Sequence, residues 1–203
     1  MALLTTFKKE LRKCPVCETA FQEEFMLTGS MRQVSEKMNE ELRTIYRDFN
    51  SEPVVPFIYE TLVCPKCLNA SMTSDFNALY NEKPKYSDKE SETIKNIRVQ
   101  ILQDQNKRKN EIAFLGELDF IKQKNLKSGL ASCILAANCY DYFNDKQFPE
   151  QKKAVLYLRA GWLSGDLKLN DKKREYYKKA YQLYDLIANR PDNTAGFKWG
   201  PDW

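Results

Sequence analysis

The second half of the chain carries apolar residues at helical spacing. Three stripes, in which apolar positions recur every three or four residues, predict amphipathic helices at 126–140, 154–163 and 176–187. Pro149 stands where a first-turn proline belongs ahead of the second stripe, and Pro191 follows the third. Because the breaks between the stripes are short, we expect neighbouring helices to pack antiparallel as helical hairpins.

A further apolar stripe opens this half of the chain. One helix face collects Ile94, Ile97, Ile101 and Leu102. The residues that follow, at 103–110, are wholly polar. We therefore expect this part of the helix to fray or to project into solvent.

The first 80 residues follow a different pattern, in which short extended segments flank two Cys-Pro-x-Cys tetrapeptides. The segments 5–13 and 19–27 predict a β-hairpin around the first tetrapeptide. The β-branched and aromatic segment 57–63 predicts the strand that enters the second, and 76–80 predicts a short helix. Residues 31–49 carry apolar positions at helical spacing and leave two alternatives open, a helix or an irregular excursion between the two halves.

The two tetrapeptides are Cys14-Pro15-Val16-Cys17 and Cys64-Pro65-Lys66-Cys67. Two residues between the cysteines allow a tight turn that directs both sulfur atoms to one point, and proline presets the turn dihedral. Two such turns face to face supply four thiolates in a tetrahedron about 2.3 Å from a zinc ion. These four cysteines are therefore predicted to bind one structural Zn²⁺, with no position open for water.

Two other chemistries use the same cysteine spacing. A single Cys-x-x-Cys pair is typical of thioredoxin-like redox sites, and each pair could instead close a disulfide. Two nearly identical pairs in one short segment favour a metal. Structural zinc supplies on the order of 10–16 kcal/mol to small modules. Residues 1–80 need such a contribution, because they hold few large apolar side chains.

Composition narrows the range of functions. The chain has six cysteines and no histidine, so it lacks the commonest general base and every Cys–His or Ser–His mechanism. It also shows no glycine-rich phosphate loop and no nucleophile elbow, and its carboxylates are scattered. We therefore predict that the protein is not an enzyme.

The net charge of +4 is unevenly distributed along the chain. Residues 1–80 carry 9 Lys and Arg against 11 Asp and Glu, whereas residues 81–203 carry 23 against 17. A ribbon that grips nucleic acid is expected to be basic, because phosphate contacts dominate affinity. The second part has basic runs at 107–109, 122–127, 172–174 and 178–179. We interpret these runs as solvated helix faces rather than phosphate contacts.

Two further observations bear on location. No apolar run approaches the ~20 residues of a membrane span, and the first residues lack the apolar core and cleavage site of a signal peptide. Four cysteines in metal spacing suit a reducing compartment, so we expect a cytoplasmic protein.

Together the patterns predict an α+β chain, with an N-terminal zinc-ribbon β module followed by an α-helical hairpin bundle. We place the ribbon at 1–80, a linker at 81–93, the helical domain at 94–190 and an aromatic tail at 191–203. The tail aromatics either dock on the protein's own helices or anchor in a partner. These aromatics are Phe197, Trp199 and Trp203.

The last two predicted helices carry small residues at the spacing of a tetratricopeptide (TPR) unit. Gly161 and Ala180 are the small residues, with Tyr177 between them, and they would let two helices approach closely. Cys133 and Cys139 lie about 240° apart around one helix, so they cannot chelate together. We predict that both are small buried core residues.

The chain resembles a bacterial family called domain of unknown function 2225. The matching stretches are LRKCPVCETAF, IYRDFNSEPVVPFIYETLVCPKCLNASMTSDF and AVLYLRAGWLSGDLKLNDKKREYYKKAYQLYDLIA. The resemblance covers residues 10–190 and implies a zinc ribbon followed by TPR-like helices. The family usually has a glycine where Leu68 stands, and more helices than this chain. It implies a fold and a metal, but no established activity.

Three functions are consistent with these observations. The first is a non-catalytic zinc-binding scaffold or adaptor that presents TPR-like helices to an unidentified protein partner, with Arg159 and Trp162 as candidate contacts. A position in the core is the alternative for Trp162. The second is a nucleic-acid- or ribosome-associated zinc-ribbon protein. The third is a thiol redox or zinc-release sensor, which requires at least one of the two Cys-Pro-x-Cys turns, called knuckles, to be exposed and easily oxidised. The oligomeric state does not follow from the sequence.

Overall fold

A computed structural model describes residues 7–27, 33–41, 43–48, 53–80, 92–143 and 149–189. Within these ranges it confirms the predicted α+β class, because small antiparallel sheets come first and five helices follow. The strands are β1 (Phe7–Lys13), β2 (Ala20–Met26), β3 (Gln33–Met38), β4 (Thr44–Asp48), β5 (Pro53–Val54), β6 (Thr61–Val63) and β7 (Ala70–Met72). The helices are α1 (Glu92–Gln103), α2 (Gln105–Ile112), α3 (Leu126–Tyr140), α4 (Pro149–Asp166) and α5 (Asn170–Ala188).

Each Cys-Pro-x-Cys tetrapeptide lies at the closed end of a two-stranded antiparallel hairpin. β1 and β2 pair as far as Lys13 and Ala20, beside the first tetrapeptide. β6 and β7 pair as far as Val63 and Ala70, beside the second. The predicted hairpin around the first tetrapeptide is thus confirmed.

Residues 31–49 contain strands where the apolar spacing left a helix open. β3 and β4 pair antiparallel, and β4 also pairs with β5. The side chain of Asn39 accepts hydrogen bonds from the backbone N–H groups of Glu41 and Arg43. This local turn offers the backbone an alternative to helical hydrogen bonds, so the chain reverses instead of continuing as a helix.

The strand predicted at 57–63 is wrong over most of its length. A 3₁₀ turn occupies Pro56–Glu60, and β6 holds only the last three residues of the segment. Proline at the first position of the turn fixes its φ and has no N–H to donate to a sheet, so the turn begins there.

α1 buries its predicted apolar stripe with one exception. Ile94, Ile97 and Ile101 are buried, whereas Leu102 is 43% exposed. The polar stretch after α1 does not fray but forms most of α2. Arg108 of this stretch is only 1% exposed, so the prediction of a solvated segment is wrong at that residue.

α3 is the central helix and is buried on almost every side. It packs against β6 and β7 and against α2 and α4. Asn125 and Ser128 cap its first turn reciprocally, because each side chain accepts a hydrogen bond from the other residue's backbone N–H. At Gly129 an added Cβ would lie 2.6 Å from Cγ2 of Ile58, so this contact with the 3₁₀ turn requires glycine.

α4 and α5 form the helical hairpin that the sequence predicts, with α4 beginning at Pro149. The ring of Tyr177 lies against Gly161, where an added Cβ would be 2.1 Å from a ring carbon. Gly161 therefore contacts an aromatic ring rather than the small residue Ala180. Ala180 is buried one turn further along α5. The relation of this hairpin to TPR repeats stays a prediction.

One buried core includes residues from both parts of the chain. Phe21, Leu62 and Phe76 of the N-terminal part belong to the same cluster as Leu130 and Leu163 of the helices. The division into a ribbon, a linker and a helical domain stays a prediction. Most of the linker predicted at 81–93 lies outside the described residues. The same holds for the tail predicted at 191–203 and its aromatic residues.

Candidate metal centre

The two tetrapeptides fold into turns of the same design. In the first, the backbone N–H of Glu18 donates to the carbonyl of Cys14. In the second, the N–H of Leu68 donates to the carbonyl of Cys64. Both distances are 3.0 Å, and each donor residue has a φ of 58°. This left-handed conformation favours glycine, which gives a physical reason for the glycine that the resembled family usually has in place of Leu68.

The turns bring the four predicted sulfur atoms together. The sulfur atoms of Cys17 and Cys64 are 3.5 Å apart and those of Cys14 and Cys67 are 3.7 Å apart. All four sulfur atoms lie within 4.8 Å of one another. A tetrahedral zinc thiolate with bonds of about 2.3 Å has sulfur atoms about 3.8 Å apart, so the arrangement fits such an ion.

None of these cysteines forms a disulfide, and neither does Cys133 or Cys139. The distances between the sulfur atoms far exceed the length of about 2.05 Å for a sulfur–sulfur bond. The structure therefore has four separate thiols that could hold a metal ion. Among the described residues, this is the group of three or more Cys, Asp or Glu side chains close enough to do so.

The thiols differ in their exposure to solvent. Cys14, Cys64 and Cys67 are each at most 1% exposed, whereas Cys17 is partly exposed. The Cys17 sulfur lies 3.3 Å from the hydroxyl oxygen of Thr19, and the backbone N–H of Val16 points at the Cys14 sulfur from 3.4 Å. The first knuckle is thus the side from which solvent reaches the cluster.

Without a cation, the pKa values of Cys14, Cys64 and Cys67 move apart, so these three thiols do not ionise together. Hydrogen bonds from Cys14 and Cys67 lower the pKa of Cys64 to about 2. The hydrogen bond to Cys64 raises the pKa of Cys14 to about 12, and the contacts with Cys14 and Cys64 raise the pKa of Cys67. A bound dication would lower the pKa of every thiol that binds it, because it favours the thiolate form of each ligand.

A buried arginine supports the second knuckle from behind. The guanidinium of Arg108 donates to the carbonyl of Cys67 at 2.9 Å and also to the carbonyl of Ile101. Both bonds come from the terminal nitrogen Nη2, and the other terminal nitrogen, Nη1, lies 3.3 Å from the hydroxyl oxygen of Tyr142. That hydroxyl in turn donates to the carboxylate of Asp104 at 2.6 Å. Because the knuckle carbonyl is bound by a fixed cationic donor, α2 holds the Cys67 backbone in position.

Sequence reasoning missed Arg108, because it grouped the residue with its exposed neighbours in a basic run. A signal is nevertheless present in the spacing. Arg108 lies seven residues after Ile101 and four before Ile112, which are both buried. It therefore occupies the apolar stripe of the preceding helix, continued through α2.

The two remaining cysteines are buried in α3, as predicted. The sulfur of Cys139 accepts a hydrogen bond from the backbone N–H of Ala70 at 3.4 Å. The hydroxyl of Tyr140 receives another from Met72 at 3.2 Å. Strand β7, which leaves the second knuckle, is thereby fastened to α3.

Several residues of the basic runs have partners within the protein. Lys124 donates to the carbonyls of Ile58 and Thr61, and burial lowers its pKa to about 8. Lys172 and Lys179 both pair with Glu175. Lys124 and the buried Arg108 therefore contradict the interpretation of these runs as solvated faces at their own positions, whereas the ion pairs of Lys172 and Lys179 lie on a partly exposed helix face.

Comparisons with known proteins agree with the resemblance. A family model described as "Uncharacterized protein conserved in bacteria (DUF2225)" matches residues 7–195. An "Uncharacterized protein" of Borreliella burgdorferi (strain ATCC 35210 / DSM 4680 / CIP 102532 / B31) is 31% identical over 215 aligned positions, which cover 100% of this chain and 72% of that protein. No solved structure matches the chain. No helix of the described residues is long and apolar enough to cross a membrane.

Proposed function

Because the chain belongs to the bacterial family DUF2225, whose description names no activity, we propose its function from the site itself. We propose that the protein is a non-catalytic, zinc-stabilised scaffold that presents its helical part to a protein partner. The observation that carries the proposal is the convergence of four thiols, three of them buried, within 4.8 Å. A metal ion in a closed site of this kind would stabilise the folded state and would have no free position for a substrate.

Zinc is the ion that fits this donor set best. Four thiolates in a tetrahedral arrangement are typical of zinc or iron–sulfur sites, whereas hard cations prefer oxygen ligands. The distances of 3.5 and 3.7 Å between sulfur atoms match the edges of a single-ion tetrahedron. We therefore assign one zinc ion to each chain.

The residue types available support a non-catalytic role. The chain contains no histidine, and the four cysteines leave no ligand position for water or substrate. The partner surface that we favour is the face of α4 near Arg159 and Trp162, where helices and loops form a concave surface. A cytoplasmic location is part of this proposal.

Metal analysis of the purified chain tests the zinc assignment. We expect one zinc ion per chain by elemental analysis, and loss of that zinc in Cys64→Ser. Cys133→Ser is the matched control, because Cys133 is an equally buried thiol outside the cluster and its replacement should leave the zinc content unchanged. Iron in place of zinc, or zinc lost equally from both variants, would contradict the assignment.

A second experiment tests the scaffold role. Affinity purification of the tagged chain from its native cell, at endogenous level, should recover a specific protein whose binding survives nuclease treatment. Recovery of RNA or DNA instead, with retention that falls steeply as salt increases, would favour the nucleic-acid alternative. The contacts made by Arg108 and Lys124 weigh against that alternative.

One observation favours a second candidate function, a zinc-release sensor of oxidants. Cys17 is the partly exposed ligand, and its sulfur lies 3.5 Å from that of the buried Cys64. Peroxide would convert the Cys17 thiolate to a sulfenic acid with release of hydroxide. Attack by the Cys64 thiolate would then expel a second hydroxide and close a disulfide, so that the zinc ion would lose two ligands.

Exposure of the zinc-loaded protein to mild peroxide separates the sensor from the scaffold. A sensor should release zinc, form a Cys17–Cys64 disulfide detectable by peptide mapping, and regain zinc after reduction. A scaffold should retain zinc and keep all four thiols reduced under the same conditions.

A further inference from the structure

A concave pocket of about 340 Å³ lies where the β3–β4 hairpin meets the helical hairpin, away from the four cysteines. Its walls come from the start of β4, the 3₁₀ turn Pro56–Glu60, the middle of α4 and one residue of α5. This volume is at the lower end of the range for ligand pockets. It suits one or two side chains better than a large cofactor.

One aromatic ring of the pocket wall lies close to two cations. The guanidinium carbon of Arg43 is 5.2 Å from the centre of the Phe57 ring, and that of Arg159 is 5.6 Å from it. The indole of Trp162 packs beside the same ring, with 5.6 Å between ring centres. Arginine and tryptophan in a concave, aromatic-lined site are the residue types that dominate protein recognition.

Both arginines are held in place before any ligand arrives. Asp166 binds Arg43 at 2.7 Å from outside the pocket lining, and Glu60 binds Arg159 at 2.5 Å. The two side chains are therefore largely ordered, with exposed fractions of only 10% and 15%. Because their rotamers are already fixed, a ligand would lose less affinity to side-chain ordering.

The unpartnered hydrogen-bond donors of the pocket favour an anion, although each arginine already has a carboxylate partner. Its described lining contains two arginines against the single carboxylate of Glu60, whose side chain is 56% exposed. One guanidinium nitrogen of Arg159 and the indole nitrogen of Trp162 are buried without an acceptor among the described residues. Both groups can only donate, so two donors of the pocket residues still lack an acceptor in the described part of the chain. A carboxylate is the side-chain group that supplies acceptors best.

We propose that this pocket binds a protein segment in which an acidic side chain lies next to an aromatic one. The carboxylate replaces or joins Glu60 at Arg159, and the aromatic ring packs on Phe57 and Trp162. The proposal rests on the scaffold function above and specifies the chemistry of its partner.

The indole N–H of Trp162 gives a direct test, because its NMR resonance reports hydrogen bonding at the pocket wall. The probe is the peptide acetyl-Phe-Glu-Phe-amide, and the matched peptide carries Gln in place of Glu. We expect the Glu peptide to shift the Trp162 resonance, assigned with Trp162→Phe, and to bind about tenfold more tightly than the Gln peptide.

Two variants separate the guanidinium from the ion pair that it makes. Arg159→Gln removes the cation and should weaken binding of the Glu peptide about tenfold, whereas Glu60→Gln breaks the same ion pair but leaves the cation and should strengthen binding several-fold. Equal binding of the two peptides, equal effects of the two variants, or a shift caused only by a single-stranded oligonucleotide would overturn the proposal. Zinc content measured on the same samples distinguishes this failure from failure of the scaffold, since a zinc-loaded chain that ignores the peptide refutes only the pocket.

Discussion

At the scale of single residues, the second knuckle depends on a side chain that no cysteine pattern indicates. Arg108 is almost fully buried and donates to the carbonyls of Cys67 and Ile101. A buried cation bound to backbone carbonyls positions the chain more firmly than neutral donors would, because charge-assisted hydrogen bonds are about twice as strong. The structure that supports the candidate metal site thus extends beyond the four cysteines to the helix behind them.

Arg108→Met should therefore destabilise the zinc-loaded protein by about 2–4 kcal/mol, because two buried carbonyls lose their donor. The zinc affinity should also fall, since the Cys67 backbone is no longer held. Urea unfolding and competition with a zinc chelator measure the two effects. Lys107→Met removes the same charge from an exposed neighbour and should change neither quantity. Equal behaviour of the two variants would show that Arg108 does not support the knuckle.

The residue after each knuckle also has a strained backbone conformation, and a single substitution can relieve that strain. Glu18 has a φ of 58° and an exposed side chain, and its ion pair with Lys13 lies on the surface. Because a left-handed conformation costs a residue with a Cβ about 1–2 kcal/mol, Glu18→Gly should stabilise the zinc-loaded protein by about 1 kcal/mol. Thermal unfolding checks this.

Glu18→Ala provides the control for that experiment. It removes the same ion pair but keeps the Cβ, so it should bring no gain in stability. If alanine stabilised the protein as much as glycine, backbone strain at this position would not be the cause.

At the scale of elements, the helical hairpin α4–α5 depends on one close contact. The ring of Tyr177 occupies the space that a side chain at position 161 would fill, with 2.1 Å between an added Cβ and the ring. Gly161→Ala should destabilise the protein by about 2–3 kcal/mol through overpacking. Denaturant unfolding followed by circular dichroism measures this loss.

Gly165 lies one turn further along the same helix and serves as the matched position. An added Cβ there meets the flexible side chain of Lys173 at 3.3 Å. Gly165→Ala should be neutral or stabilise by up to about 1 kcal/mol, because alanine is the better helix former. Equal losses at the two positions would mean that general helix distortion, not the Tyr177 contact, determines the effect.

The elements also show where sequence patterns suffice and where they do not. The stripes that became α3, α4 and α5 are long and regular, so many apolar positions agree on one period. The segment 31–49 has a similar spacing, yet hydrogen bonds to the Asn39 side chain reverse the chain there. A local side-chain contact of this kind is invisible to periodicity, and the Pro56 turn replaced a strand for a similar reason.

The cluster of four cysteines was predictable because metal binding by thiols requires a fixed spacing, whereas Arg108 and the pocket around Phe57 were not predictable. Those two features arise when segments far apart in sequence meet, such as Arg43 with Asp166 and Arg159 with Glu60. Arg159 and Trp162 were candidate contacts on their own helix. The 3₁₀ turn and β4 complete the pocket around these two residues, and only the three-dimensional fold shows that they lie beside α4.

At the scale of the whole molecule, the hairpins and the helices share one core, so loss of the metal should reach beyond the cysteines. Removal of zinc with a chelator should increase hydrogen exchange in the strands of both hairpins, β1, β2, β6 and β7. Exchange should also increase in α3, because Ala70 and Met72 of β7 are hydrogen-bonded to Cys139 and Tyr140 of that helix. The α4–α5 hairpin should keep more of its protection. Exchange followed by mass spectrometry, with Cys133→Ser as a zinc-loaded control, measures this difference. Unchanged protection of α3 would show that the two parts unfold independently.

The hydrogen bond between Ala70 and Cys139 also has a consequence for folding during synthesis of the chain. The two residues are 69 positions apart, so at roughly 5–20 residues per second the ribosome completes the second knuckle about 3–14 s before the helix that supports it. During that interval the thiols of both knuckles are present without their final cover. A zinc ion that binds in that interval would hold the two hairpins together before the helices are made. The fraction of protein that folds would then depend on the supply of zinc to the nascent chain rather than to the finished protein.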